Sequence, residues 1–252
     1  KAAQLADQLV LSGHPQSLQR LAKRGTIVLT PTHSSNLDSV LVGFALHQLG
    51  VPPFIYGAGL NLFRNPLVGF FMRNVGAYRV DRRKSAALYK QVLKTYAGVS
   101  LELGYHNLFF PGGTRSRSGD IERKLKLGLL GMGLDAYIHQ LAAKREHPDV
   151  FVVPCTLNYQ LVLEAETLIH DHLAERGRSR FIIDDDEFSR PKRVLDFLVR
   201  LSTLESRIHL VVGQPLDVFG NPVDDDGVSH DGRGRPIDRQ RYVFVDGRPR
   251  VS

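Results

Sequence analysis

Between about residue 26 and residue 157, short β-branched apolar runs alternate with longer stretches of helical period. Residues 26–30 (TIVLT) are too short and too β-branched for a helix, so they predict a buried strand. A turn over 31–35 leads into a helix with Leu37, Val40, Leu41, Phe44, Ala45 and Leu49 on its inner face, ended by Gly50 before Pro52. The alternation repeats with strand 54–56, a short apolar helix 66–74, strand 77–80 and helix 85–103, which Gly104 stops. Strand 107–110, helix 125–141 and strand 151–157 follow. Pro154 offers no N–H to a ladder and predicts an edge position or a bulge. Residues 1–24 also follow a helical pattern, with Leu5, Leu9, Val10, Leu18 and Leu21 interrupted at Gly13-His14-Pro15. Beyond residue 161 the signal thins to a helix over 190–203, a strand over 209–212, and a Gly/Pro/Asp-rich tail in which only 242–245 resembles a strand.

Such alternation predicts an α/β fold: a largely parallel central sheet flanked by helices, with an irregular C-terminal tail. Residues 1–213 are expected to form one domain that includes the N-terminal segment, with 214–252 wrapping around it as an extension. The 252 residues suffice for one sizeable core. A single cysteine, Cys155, excludes an internal disulfide and fits a reducing compartment. The net charge of +7 suits an anionic partner, and charge alone does not choose among acidic lipid, nucleic acid and a phosphorylated substrate. No apolar run is long enough to span a bilayer and no signal peptide is visible. The chain opens on Lys1 and closes in a polar stretch, as expected of a segment trimmed from a longer one.

Three loops carry candidate chemistry. In Thr32-His33-Ser34-Ser35-Asn36-Leu37-Asp38, a histidine lies between a strand and a helix with a carboxylate in the first helical turn. If the loop folds back, Asp38 holds one ring nitrogen of His33 and leaves the other as a general base. A plainer reading is a turn histidine and a favourable helix-start charge. In Gly76-Ala77-Tyr78-Arg79-Val80-Asp81-Arg82-Arg83, a strand ends in adjacent arginines whose forked donors match phosphate oxygens, or form a solvated charge cluster. The third loop, from Phe109-Phe110-Pro111 through Gly112, Gly113, Thr114, Arg115, Ser116 and Arg117, pairs glycines with alternating hydroxyls and arginines. That composition favours an anion site, and Lys124 and Lys126 extend the basic region. Each loop follows a strand, so in a parallel sheet all three gather at its carboxyl edge. Arg115 and Arg117 are spaced by serines rather than aromatics, which argues for a small anion over nucleic acid.

These blocks, in this order, resemble the glycerol-3-phosphate and dihydroxyacetone-phosphate acyltransferases within the glycerolipid acyltransferase superfamily. The resemblance covers residues 28–159: the His33 to Asp38 block, Ala58-Gly59-Leu60-Asn61-Leu62, Gly76-Ala77-Tyr78, Phe110 to Ser118, Lys126 to Leu130, and Val152-Val153-Pro154. It implies transfer of a fatty acyl chain from acyl-CoA or acyl carrier protein to a hydroxyl of glycerol 3-phosphate or a related phosphorylated acceptor, in phospholipid biosynthesis. His33 would be the base and Asp38 its orienter. Arg82, Gly113, Thr114, Arg115, Ser116, Arg117 and Lys126 would bind substrate. It further implies no cofactor, no metal and no nucleic acid, and a cytoplasmic protein peripheral on an anionic inner membrane surface. The sequence departs from the pattern at Gly112, where a glutamate is usual, at Arg79, where an aromatic is usual, and at Asp81, where a basic residue is usual. Two rival readings stand: a lysophosphatidic acid acyltransferase using the same base, and a phosphate- or nucleic-acid-binding module without catalysis.

Other features read as structural. Cys155 belongs to an apolar strand, His170 and His172 lack partners at metal-ligand spacing, and 184–187 is a loop charge cluster. Asp224-Asp225-Asp226-Gly227 fails the ligand spacing of a calcium loop. The apolar residues Leu60, Leu62, Phe63, Leu67, Val68, Phe70, Phe71 and Met72, flanked by Arg64 and Arg73, read as core or as an interfacial surface.

Overall fold

A computed structural model describes residues 8–35, 38–64, 66–81, 83–113, 116, 125–159, 207–245 and 247–249. The repeating strand–helix block begins with β2 (Thr26–Pro31) and α2 (Asp38–Gln48), then β3 (Ile55–Gly59), α3 (Pro66–Asn74) and β4 (Ala77–Val80). It continues through α4 (Ala87–Glu102), β5 (Asn107–Leu108), α5 (Gly128–Ala142) and β6 (Val150–Tyr159). Ahead of it lie β1 (Leu9–Gly13) and α1 (Pro15–Leu21), and behind it β7 (Ile208–Val212) and β8 (Leu216–Asp217). The main sheet has the order β1-β7-β6-β2-β5-β3-β4, with β8 also paired to β6. From β6 to β4 all neighbours are parallel, whereas β7 and β8 run antiparallel to β6. The sheet is therefore mixed and mostly parallel, with helices on both faces.

Strand alternation divides the core in two. Ile27 and Leu29 of β2 join Phe151, Val153 and Cys155 of β6 in one apolar cluster, with residues of α1, α2 and α3. Val28 points the other way and meets Leu101 of α4, Ala136 and Tyr137 of α5, and Val150. The chain therefore leaves β2 toward one face and the neighbouring β5 toward the other. A crevice opens where such adjacent connections diverge, at the carboxyl ends of the strands.

Four expectations change in detail. The helix read over residues 1–24 contains a strand: Leu9–Gly13 pairs in parallel with Ile208–Val212. A short apolar run does not distinguish helix from strand, and here the free edge of β7 decides. Gly13 has φ +78° and sits so close to β7 that an added Cβ would lie 2.1 Å from the Val212 carbonyl oxygen. The inner face of α2 is Leu41, Val42, Ala45 and Leu46, while Val40 is exposed. Phe44 and Leu49 pack partly against the core, and Leu37 lies outside the described residues. The helix is apolar nearly all round, so spacing alone does not select its buried stripe.

Pro154 stands in an interior strand, not at an edge. Its carbonyl accepts from Gly213 where β7 has ended and β8 has not begun, so its missing N–H faces a break in the ladder. The tail is more structured than expected. It supplies β8, a β9 (Ser229–His230) and β10 (Pro236–Ile237) hairpin, and a β11 (Phe244–Val245) and β12 (Arg248–Pro249) hairpin. Val218, Phe219, Val243 and Phe244 pack onto the α4/α5 side. Residues 190–203, 170, 172 and 184–187 lie outside the described residues.

Candidate active site

The backbone is pinned before it reaches His33. One residue past β2, the Thr32 N–H donates to the Cys155 carbonyl at 3.0 Å, and Thr32 Oγ1 accepts from the Leu157 N–H at 3.0 Å. The chain then turns tightly enough for the N–H groups of Ser34 and Ser35 to donate to Asp38 Oδ2, at 2.7 and 3.0 Å. His33 Nδ1 meets the same oxygen at 2.7 Å. The Asp38 side chain is fully buried, and that of His33 is 15% exposed. The imidazole also stacks on Phe110, with ring centroids 4.1 Å apart and planes 21° from parallel. The other carboxylate oxygen, Oδ1, accepts the hydroxyl of Tyr159, at the end of β6.

Those contacts define the tautomer. Backbone N–H groups can only donate, so Oδ2 serves as an acceptor, and His33 Nδ1 must supply the proton of the bond between them. Nε2 then carries the free lone pair. An imidazole so held can take a proton from a hydroxyl, and the adjacent carboxylate stabilises the imidazolium that results.

The third loop closes on the first: the Ser116 N–H donates to the His33 carbonyl at 2.7 Å. Within it, Gly113 turns with φ +76° and donates its N–H to the Phe110 carbonyl at 2.9 Å. The Lys126 N–H donates to the Pro111 carbonyl at 2.7 Å, and its side chain crosses Gly113 so closely that a Cβ there would lie 2.5 Å from Nζ. An ammonium is thereby laid along the loop at Gly113. In the second loop the Asp81 N–H donates to the Tyr89 hydroxyl at 2.7 Å, and Asp81 Oδ1 accepts from the Arg83 N–H at 3.0 Å. The unusual Arg79 places its guanidinium over the Phe63 ring, 5.3 Å from the centroid. Arg82, Thr114, Arg115 and Arg117 lie outside the described residues.

Cys155 is buried in β6, and burial pushes its thiol up to about 12, against a smaller opposing effect from the Gly213 backbone. That is the environment of an inert core thiol. Asp225 pairs with Arg20 at 2.5 Å and Asp226 with Arg24 at 2.8 Å, tying the tail to α1. Tyr159 is a contributor to the site that sequence reading misses. Its signal is positional, since β6 overruns β2 from the pair Pro31–Cys155 onward, and that register is invisible without the sheet.

The sheet thus presents a carboxylate-held histidine at its carboxyl edge, closed over by the loop that carries Gly113 and Ser116. The chain belongs to the acyltransferase family, whose family model matches residues 14–158. It is 32% identical over 184 residues to a glycerol-3-phosphate acyltransferase of Xanthomonas axonopodis pv. citri, covering 73% of this chain and 20% of that one. It is 31% identical over 160 residues to the dihydroxyacetone phosphate acyltransferase of Homo sapiens, covering 63% of this chain and 23% of that one. The chain thus spans about a fifth of the length of the curated relatives it matches. Among solved structures, a 1-acyl-sn-glycerophosphate (LPA) acyltransferase, PlsC, from Thermotoga maritima aligns with a TM-score of 0.46 at 19% identity, over 84% of this chain and 63% of that one.

Proposed function

We propose that this protein transfers a fatty acyl chain from acyl-CoA or acyl carrier protein to a hydroxyl of glycerol 3-phosphate. The observation that carries the reading is the 2.7 Å bond from His33 Nδ1 to the buried, backbone-anchored carboxylate of Asp38. His33 Nε2 removes the proton of the acceptor hydroxyl as its oxygen attacks the thioester carbonyl. The tetrahedral intermediate collapses, the C–S bond breaks, and the leaving thiolate takes the proton back from the imidazolium. A thioester is already activated, so no acyl-enzyme is needed.

Arg82, Gly113, Thr114, Arg115, Ser116, Arg117 and Lys126 would hold the acceptor phosphate and so place its hydroxyl, which is catalysis by positioning. The approach of Lys126 to Gly113 and the bond from Ser116 to His33 support this assignment for the described members of the set. A net charge of +7 suits the acidic donor, the phosphorylated acceptor and an anionic membrane surface. Phe70 and Leu60, exposed at 58% and 41%, support interfacial contact at that surface. Among the described residues no helix is long and apolar enough to cross a membrane.

The test is thiol release from palmitoyl-CoA and from palmitoyl-loaded acyl carrier protein, with glycerol 3-phosphate, dihydroxyacetone phosphate or lysophosphatidic acid as acceptor, and products weighed by mass spectrometry. A monoacylated glycerol 3-phosphate is expected. A diacylated product formed only from lysophosphatidic acid would reassign the acceptor. Background release with every pair of substrates would overturn the reading.

A further inference from the structure

We infer that Tyr159 is a positioning residue for the His33–Asp38 pair, holding the second oxygen of the carboxylate so that the first stays on the imidazole. The inference rests on the general-base reading above and adds a member to it. A carboxylate turns about its Cβ–Cγ bond, and turning either tilts Oδ2 away from His33 or exchanges the two oxygens. Three donors, from His33, Ser34 and Ser35, crowd onto Oδ2. Those donors fix one oxygen and leave the plane of the group to be set by whatever holds Oδ1. Among the described donors that is the Tyr159 hydroxyl.

The anchor is itself rigid. Tyr159 is the last residue of β6, its backbone paired opposite Ile208 of β7, and its ring packs partly against the core cluster. Two residues earlier, Leu157 binds the Thr32 hydroxyl. One strand therefore fixes both the start of the His33 loop and the far side of its carboxylate. A catalytic pair held from a strand is placed more tightly than one held from a loop. The pair also joins segments 121 residues apart in sequence, so the site is complete only once β6 has docked beside β2.

Tyr159→Phe keeps the ring and deletes only the hydroxyl. The expected result is a fall in kcat of about tenfold, the scale of one hydrogen bond to a charged group, with KM for acyl-CoA and glycerol 3-phosphate within about twofold. In an Asp38→Asn background the same change should cost nothing further, because a residue acting through Asp38 has nothing left to position. The downfield proton resonance of His33 Nδ1–H should move in Tyr159→Phe while the thermal midpoint changes little. A kcat within twofold of wild type with an unmoved resonance would overturn the inference, as would an undiminished loss in the Asp38→Asn background. If the wild-type chain releases no thiol at all, the proposed function fails, and the resonance still decides the role of Tyr159.

Discussion

Strand β2 meets a histidine at each end, and the two are held in opposite ways. At its entry, the Ile27 N–H donates to His106 Nδ1 at 3.0 Å, so that ring accepts at Nδ1 and carries its proton on Nε2. At its exit, His33 donates from Nδ1 to Asp38 and leaves Nε2 open. His106 is buried beside Phe54, ring centroids 4.9 Å apart, and burial lowers its pKa to about 4. It stays neutral at neutral pH and serves as a fixed acceptor for the sheet. His33 instead faces a buried carboxylate at Nδ1. Whether Nδ1 faces a backbone donor or a carboxylate decides which histidine holds structure and which can move protons.

The largest effect is expected at the exit end. His33→Ala should lower acceptor-dependent thiol release about 10³-fold while leaving the urea midpoint nearly in place. Loss of both activity and fold would show that the two ends are not separable.

The next effect belongs to His106 and is one of stability. Its unfolded pKa is near 6.5 and its native pKa about 4, so between those values the unfolded chain binds a proton that the native chain refuses. Its contribution is present above pH 6.5 and is lost as pH falls through about 4, up to about 3 kcal/mol. Urea unfolding of wild type and His106→Gln at both pH limits should show wild type losing that advantage on acidification. A pH-independent difference would contradict the assignment.

Two smaller effects also belong to the exit end. Gly113→Ala forces an L side chain to φ +76° and into the path of Lys126. It should raise KM for glycerol 3-phosphate about tenfold, with a much smaller change in KM for acyl-CoA, in steady-state kinetics with each substrate varied. Phe110→Leu removes the ring stacked on His33 and should lower kcat about threefold in the same assay.

Local pattern carries much of this molecule. The helix read over 66–74 and the strand read over 77–80 match α3 (Pro66–Asn74) and β4 (Ala77–Val80), because proline, glycine and β-branched residues mark their ends. The loop joining β2 to α2 was legible too, since a histidine and a carboxylate flanking helix-capping residues carry a local meaning. What pattern misses depends on pairing across the sheet. Leu9–Gly13 becomes a strand because β7, about 200 residues later, offers an edge. Pro154 is tolerated inside the sheet because one neighbour ends where the next begins. His106 and Tyr159 have no informative neighbours in sequence. Their partners, Ile27 and Asp38, lie 79 and 121 positions away.

The most direct test of a general base at His33 compares thiol release from palmitoyl-CoA by wild type and by His33→Gln, with and without glycerol 3-phosphate, once their urea midpoints show both to be folded. Wild-type release should rise with glycerol 3-phosphate, and the folded variant should stay at background with or without it. Glycerol-3-phosphate-dependent release by His33→Gln within about tenfold of wild type would contradict a general base at His33.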